Sequence, residues 1–323
     1  MKKKYLILLI LVLVGINTKT ANALTVSPAR IEITADPGQS IQGEVELLNE
    51  QKEEKIFYTS YENFESRGDT GAPYFTGDKS GLATWISTDT EVNLAPDERK
   101  TVPYTITVPK DAKPGGYFAA LFFGNQPENK NGGSEVVIGG KIGILILLRV
   151  SGDVDESAGI TDFGTEGGKR FFSTLPIVFT YGFNNIGGDR VIPRGNIKIN
   201  NLLHIRSVSL LANKNEGSVL PQSTRRFTVS WVGESKEKKN IGFLNTVLAQ
   251  IKDFHIGWYT ANIDLTWGAS SQNATKTYHF FVIPWQLISI ILIATLVFWR
   301  IILAWFKRMK RRIIHEAING NRQ

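Results

Sequence analysis

Thr101-Val102-Pro103-Tyr104-Thr105-Ile106-Thr107-Val108 places Val102, Tyr104, Ile106 and Val108 at every second position, with Pro103 and threonines between them. Successive side chains of a strand point to opposite faces, so this stretch predicts one buried and one wet face, hence an antiparallel sheet. Pro103 cannot donate to the ladder, which puts the strand at a sheet edge or beside a bulge. Working outward, Ile41, Gly43, Val45 and Leu47 alternate with polar residues, as do Tyr259, Ala261, Ile263, Leu265 and Trp267 with theirs. Ile142 to Leu148 is instead almost continuously apolar, which predicts a strand buried on both faces and too short to cross a bilayer. Turn chemistry separates such runs: Asp36-Pro37-Gly38, Ala95-Pro96-Asp97 and Pro114-Gly115-Gly116. The fold class is therefore mainly β, built from immunoglobulin-like β-sandwich domains.

The pattern occurs twice. Leu94-Ala95-Pro96, the basic pair Arg99-Lys100 and the alternating strand after it are matched by Val219-Leu220-Pro221, Arg225-Arg226 and Phe227, Val229, Trp231. Each copy leads to a glycine-aromatic strand, Gly116-Tyr117-Phe118-Ala119 and Gly257-Trp258-Tyr259-Thr260. The sequence thus divides into two sandwiches, 24–152 and 153–282. The second carries an insertion near 241–254 in which Leu244, Val247, Leu248 and Ile251 fall at helical spacing. Such a helix is expected to pack its apolar stripe over a sandwich edge, with a partner-binding or membrane-surface role as the alternative.

Both ends read as membrane-targeting segments. Lys2, Lys3 and Lys4, an apolar run from Tyr5 to Val14 and Ala21-Asn22-Ala23 have the order of a secretory signal peptide over 1–23. From Phe280 to Trp299 no residue is charged. A helix over 283–306 would be about 36 Å long at 1.5 Å per residue, enough to span a bilayer. Trp285 marks one interface, Trp299 and Trp305 the other, and Arg300 snorkels toward headgroups from near the end. Lys307, Arg308, Lys310, Arg311 and Arg312 follow, so the tail 307–323 is expected in the cytoplasm and the sandwiches outside, at the cell membrane.

This layout redistributes the charge. The chain carries a formal +7, but its signal holds four lysines and no acid, and residues 283–323 hold seven basic residues and one acidic. That leaves 26 basic and 29 acidic residues between them, a net of −3. No nucleic-acid partner is expected of such a surface; the basic tail suits anionic lipid instead.

The residues also exclude several chemistries. The absence of cysteine removes disulfides, thiolate metal sites and thiol nucleophiles. His204 and His255 have no metal-ligand spacing, and no nucleophile elbow or phosphate-cradling loop is present. A non-enzyme without cofactor or metal is expected, although a spatially paired carboxylate site stays open. Asp153, Asp155 and Glu156 read as a solvated linker more than a calcium site, and Arg67-Gly68-Asp69 as an ordinary turn. The remaining candidates are aromatic residues around a glycine-rich loop, above all Tyr74 and Phe75, which could stack on sugar rings or meet a protein.

Thr84-Trp85-Ile86 followed by Leu94-Ala95-Pro96, Val108-Pro109, Gly116-Tyr117 and Val219-Leu220-Pro221 give the chain a layout similar to the WxL-interacting proteins of Gram-positive bacteria. Pro28-Ala29-Arg30 departs from that pattern, lacking the Asn-Gln pair expected soon after the first strand's proline. The resemblance implies a peptidoglycan-binding first domain, a protein-binding second domain and a membrane anchor. The expected function is a membrane-anchored cell-surface binding protein for peptidoglycan or a surface protein. The alternative is a chaperone-like or assembly factor that pairs strand edges with secreted subunits.

Overall fold

A computed structural model describes residues 24–127, 140–202, 207–232 and 242–320, the last nine of these for the backbone alone. The signal segment 1–23, His204 and the Arg312 side chain lie outside the described residues. The chain forms two compact units. One comprises residues up to Ser66 with Pro73–Asp155, the other Arg67–Ala72 with everything from Glu156 onward.

The first unit contains β1 (Leu24–Ser27), β2 (Arg30–Ala35), β3 (Ser40–Asn49), β4 (Lys55–Ser66) and β5 (Pro73–Phe75), then the single turn α1 (Leu82–Trp85). It continues through β6 (Ile86–Thr88), β7 (Glu91–Leu94), β8 (Arg99–Thr107), β9 (Gly115–Gly124) and β10 (Lys141–Val150). One sheet runs β1-β3-β8-β6; the other runs β2-β10-β9-β4-β5, with β7 also on β4. The inward residues of both sheets share one core, including Val45, Leu47, Val102, Tyr104, Ile106, Leu121, Ile144 and Ile146. The unit is a β-sandwich.

Period-two patterning accounts for these faces. Val102, Tyr104 and Ile106 of β8 are all at most 5% exposed, and Val108 continues the row just past the strand. Gly43 stands where the alternation of β3 asks for a large residue because the Tyr104 ring lies over it. A Cβ there would be 2.3 Å from the ring, so Tyr104 fills the space that glycine leaves. Pro103 sits where β6 has ended, since β6 pairs with β8 only from Ile106 to Tyr104.

The second unit contains β11 (Ala158–Thr165), β12 (Phe171–Phe172), β13 (Ile177–Asn185), β14 (Arg194–Asn201), β15 (Ser207–Leu211) and β16 (Ser223–Trp231). Then come α2 (Phe243–Lys252), β17 (Gly257–Trp267), β18 (Gln272–Val282) and the long helix α3 (Trp285–Gly320). Its sheets run β11-β13-β16 and β12-β18-β17-β14-β15. Ile177, Phe179, Tyr181 and Phe183, all 0% exposed, share a core with Phe227, Trp231, Ile263, Leu265 and Phe280.

Both units share an immunoglobulin-like layout. In each unit the first strand pairs antiparallel with the third, β1 on β3 and β11 on β13, and the second pairs parallel with the last, β2 on β10 and β12 on β18. The sequence repeat is therefore a repeat of topology. It extends to a buried asparagine in each copy that the sequence reading did not single out. Asn49 ends β3 and Asn185 ends β13, both 0% exposed. The Asn49 Nδ2 donates to the carbonyls of Glu53, Leu94 and Ala95 at 3.0–3.2 Å, and its Oδ1 accepts from the Gln51 N–H at 3.1 Å. Asn185 Nδ2 donates to Asp189 and Val219 at 2.8 and 2.9 Å, while its Oδ1 accepts from Gly187 N–H at 2.9 Å. Leu94 and Val219 are equivalent positions in the repeat, so each asparagine clamps the turn carrying Pro96 or Pro221 to the end of a core strand.

Of the described helices, α3 is long and apolar enough to cross a membrane, over 27 residues from Trp285 to Arg311. That is about 40 Å of helix. It begins at Trp285, two residues after the start expected at 283. The Ile283 N–H donates to the Phe172 carbonyl at 2.8 Å, which keeps the chain extended until Pro284.

Arg226 on β16 donates to both carboxylate oxygens of Asp162, at 2.7 and 3.2 Å, and to Asp69 at 3.3 Å. Asp69 thus belongs to an ion-pair cluster of the second unit. The Arg226 hydrogen bonds hold the Asp162 carboxyl below its ordinary pKa. A depressed carboxylate contributes stability that is present above the ordinary value and disappears as pH falls through the depressed one. Asp162→Asn should therefore lower the melting temperature slightly at neutral pH. The difference from wild type should shrink as pH falls below the ordinary carboxyl range and vanish once the depressed carboxyl is itself protonated, where both carry a neutral group. A pH series of thermal melts checks this; a gap that persists in acid would contradict it.

Candidate functional site

Strand edges are where a sandwich can acquire a partner, and most edges of this chain are blunted. β1, β5, β6, β7 and β12 have two to four residues each. β2 carries the Arg30–Glu32 ion pair at 3.1 Å. β11 has a register break between Ile160 and Asp162. β16 is crossed by Arg225, whose guanidinium lies 5.2 Å from the Phe227 ring centroid and donates to the Ser218 carbonyl at 2.9 Å. That arginine also lines a cavity of about 600 Å³ between β15 and β16, with Leu210, Ala212, Asn213 and Val229.

The start of β10 is different. β2 pairs with β10 only from Leu145 to Val150, while β9 pairs with all of it. On the β2 side, Lys141–Ile144 therefore has no partner strand among the described residues. The Leu145 N–H donates to the Ala29 carbonyl at 3.0 Å, which fixes the phase. Backbone groups alternate direction along a strand, so Gly143 and Lys141 turn their N–H and C=O to the same, open side. A cavity of about 400 Å³ adjoins this edge, lined by Leu24, Phe57, Phe123 and Ile142 with Gln51, Glu53, Lys55 and Asn125 around them.

Each wall has a local cause. Leu24 belongs to β1, which pairs with β3 in the opposite sheet and so leaves the edge of β10 uncovered. Phe57 and Phe123 are inward residues of β4 and β9, each at most 3% exposed. Ile142 continues the inward row of Ile144 and Ile146, but beyond the end of β2 it is 40% exposed. It is the largest departure from the doubly buried strand expected over 142–148, in which Gly143 and Leu145 are also only half-buried. The rim is tied down as well: Asn49 holds Gln51 and Glu53, and Glu53 accepts from Lys55 Nζ at 2.7 Å. Lys141 pairs with Glu62 and sits 4.2 Å from the Phe122 ring centroid, directing its charge onto the outer sheet face. The result is a slot of mixed lining, apolar at its floor and polar around its rim, beside two outward backbone pairs, a geometry that accepts an extended peptide.

Neither residue singled out for ligand binding lines this slot. Phe75 on β5 packs against Phe64 and Phe122, with ring centroids 6.2 and 4.9 Å away. Tyr74 is 41% exposed on the same short strand. Trp85 packs on Tyr117 at 4.6 Å at the edge of the core. Glu156 uses its carboxylate to accept the Ala269 N–H at 2.7 Å. Among the described residues no group of three acidic or histidine side chains is placed to hold a metal. No sequence signal marks the slot, because it depends on where β2 begins along β10, Arg30 facing Leu145 across about 115 residues of chain.

No family model matches the chain, and no curated protein does either. Solved structures do. The class 5 fimbriae chaperone CfaA is 11% identical with a TM-score of 0.39, over 80% of this chain and 99% of that one. A chaperone–tip subunit pre-assembly complex from the archaic Csu pili of Acinetobacter baumannii contains a chain 13% identical, with a TM-score of 0.34, over 64% and 89%. The CupB2 chaperone of Pseudomonas aeruginosa is 10% identical, with a TM-score of 0.32, over 78% and 98%. At these values the likeness says nothing about what this chain binds.

Proposed function

We propose that this chain is a membrane-anchored binding protein that captures an extended segment of another protein, adding it as a strand beside Lys141–Ile144. One observation supports the reading above the others: an unpaired stretch of a core strand, Lys141–Ile144, adjoins a slot whose floor is apolar. The outward groups of Gly143 and Lys141 would supply ladder hydrogen bonds. Alternate side chains of the guest would enter between Leu24, Phe57, Phe123 and Ile142. Main-chain pairing gives affinity in such an arrangement, and the pockets give selectivity. α3 would hold the protein in the membrane with Lys307 to Arg311 on the cytoplasmic side and both sandwiches outside, as the positive-inside rule directs. The peptidoglycan reading has less support, because Phe75 is turned into its own sheet, so the pair offers one exposed ring, Tyr74, to a sugar.

A photo-cross-linking residue in place of Ile142, in the full-length protein in its own cells, tests the proposal. The expected product is an adduct to a secreted or surface protein, formed within a segment of alternating apolar residues. The same probe at Tyr74 should give none. Ile142→Asp places a charge in the slot and should weaken capture roughly tenfold or more. Adducts to glycan, or equal yields at both positions, would reject the reading.

A further inference from the structure

The apolar stripe of α2 faces the wrong way for a helix that merely covers a sandwich edge. Only Val247 and Gln250 are buried, at 7% and 1% exposed, whereas Leu244, Leu248 and Ile251 are 71%, 57% and 56% exposed. The inward side is thus held by a polar side chain. The Gln250 Nε2 donates to the Ser173 carbonyl at 3.0 Å and to the Gln286 Oε1 at 2.5 Å, and its Oε1 accepts from the Leu287 N–H at 3.0 Å. Gln286 and Leu287 lie in the first turn of α3, one of whose orphan N–H groups this carboxamide satisfies. Phe243 packs edge-on against Trp285 at 6.2 Å. So α2 is fastened to the start of the membrane helix by its polar side, with its aliphatic side outward.

The sandwich end beside it is apolar too. Trp258, 56% exposed, and Phe171, 72% exposed, flank Phe281 at 5.2 and 6.3 Å between ring centroids. Phe281 stands four residues before α3 begins. Phe254 and Ile256, in the link from α2 to β17, are 42% and 47% exposed. Large aliphatic and aromatic side chains in such number at one end of a unit call for a cover. What lies next to them is fixed by α3: a helix that crosses a bilayer must pass through the headgroup layer near Trp285.

We infer that α2, with Trp258 and Phe171, forms a second lipid contact. The helix lies in the membrane interface on the sandwich side and inserts Leu244, Leu248 and Ile251 among the acyl chains. The inference rests on α3 spanning the membrane. α2 has aliphatic residues along one side, as an interfacial helix requires, and no acidic residue that anionic lipid would repel; Lys252 at its last position is its one basic residue. Interfacial helices sit about 5–10 Å into the headgroup and acyl boundary, and tryptophan favours the same depth. The consequence is mechanical. A single span leaves a domain free to swivel, while a second contact beside it fixes the tilt of the second unit on the bilayer.

The absence of cysteine makes the test direct. Leu248→Cys, Ile291→Cys and Ser270→Cys would each carry one environment-sensitive fluorophore on the full-length protein. Reconstitution would use vesicles of phosphatidylcholine and phosphatidylglycerol, with and without lipid spin-labelled near the headgroup. Ile291 lies within α3, and Ser270 in the turn between β17 and β18, beyond the far end of β17, which is about 30 Å along the strand from Trp258. All three are exposed, so labelling disturbs no packing. Labels at Leu248 and Ile291 should shift to the blue and be quenched by spin-labelled lipid several-fold more than at Ser270. A Leu248 label as wet and unquenched as that at Ser270, with Ile291 still in lipid, would overturn the inference and leave the span intact. A Leu248 label that is shielded from water but not quenched by lipid would also overturn it, in favour of a protein cover. A wet label at Ile291 would remove the span and the inference together.

Discussion

Gly195→Ala should destabilise the second unit by about 4 kcal/mol, lowering its melting temperature by roughly 10 °C. Gly195 is the second residue of β14, with φ at +153°. A Cβ built on it would stand 1.9 Å from the backbone carbonyl oxygen of Asp264 on the paired strand β17. Backbone cannot step aside as the tip of a side chain can. The variant must either open the β14–β17 ladder or move the chain out of a conformation that only glycine holds comfortably. That ladder carries Ile197 and Ile263, both 0% exposed, so the cost reaches the core. Gly159→Ala in β11 is the control, since a Cβ there meets nothing within 4 Å. It should change stability by no more than about 0.5 kcal/mol. Similar melting curves for the two variants would show that the close approach at Gly195 is easily relieved.

Asn185→Leu is expected to cost about 3 kcal/mol, and Asn49→Leu a similar amount in the first unit. Leucine nearly conserves volume, so the cost is not a cavity. It comes from buried and half-buried polar groups that lose a partner: two carbonyls and an N–H around Asn185, three carbonyls and an N–H around Asn49, of which the Val219 and Ala95 carbonyls keep the N–H of Val191 and Glu98. A carbonyl that leaves water and finds no donor is more expensive than the hydrogen bond was worth. Urea unfolding of the full-length protein in detergent measures both, as a shift in midpoint at unchanged slope. The two variants should differ in one respect. Asn49 also holds Gln51 and Glu53 at the rim of the β10 slot, so Asn49→Leu should reduce cross-linking from Ile142 while Asn185→Leu leaves it alone. Equal effects on capture would mean that Asn49 does not shape the slot.

Legibility in the sequence followed the range of the interaction. The alternation of Val102, Tyr104 and Ile106, the apolar run of β10 and the uncharged stretch that became α3 are each written within about ten to twenty neighbouring residues, and each took the structure its period implies. Asn49 and Asn185 were missed because a polar residue at the end of a strand reads as loop. Only the arrival of Leu94 and Val219 from elsewhere in the chain makes it a core position. The β10 edge is invisible for a similar reason: Lys141 to Ile144 looks like the rest of the strand until β2 is seen to begin only opposite Leu145.

The helix α2 marks the division most clearly. Its period was determined by the sequence alone, and so was the aliphatic stripe at Leu244, Val247, Leu248 and Ile251. Which side of it would be buried was decided by tertiary structure. Periodicity records that apolar residues share a face, but water and lipid leave the same imprint on the spacing. The choice was made by Gln250, a residue with no hydrophobic reason to point inward, because the start of α3 presented it with a free N–H and a carboxamide to satisfy. Local sequence determined the elements and their faces. The pairing of polar groups distant in sequence decided which edges were left open and which face was left for the membrane.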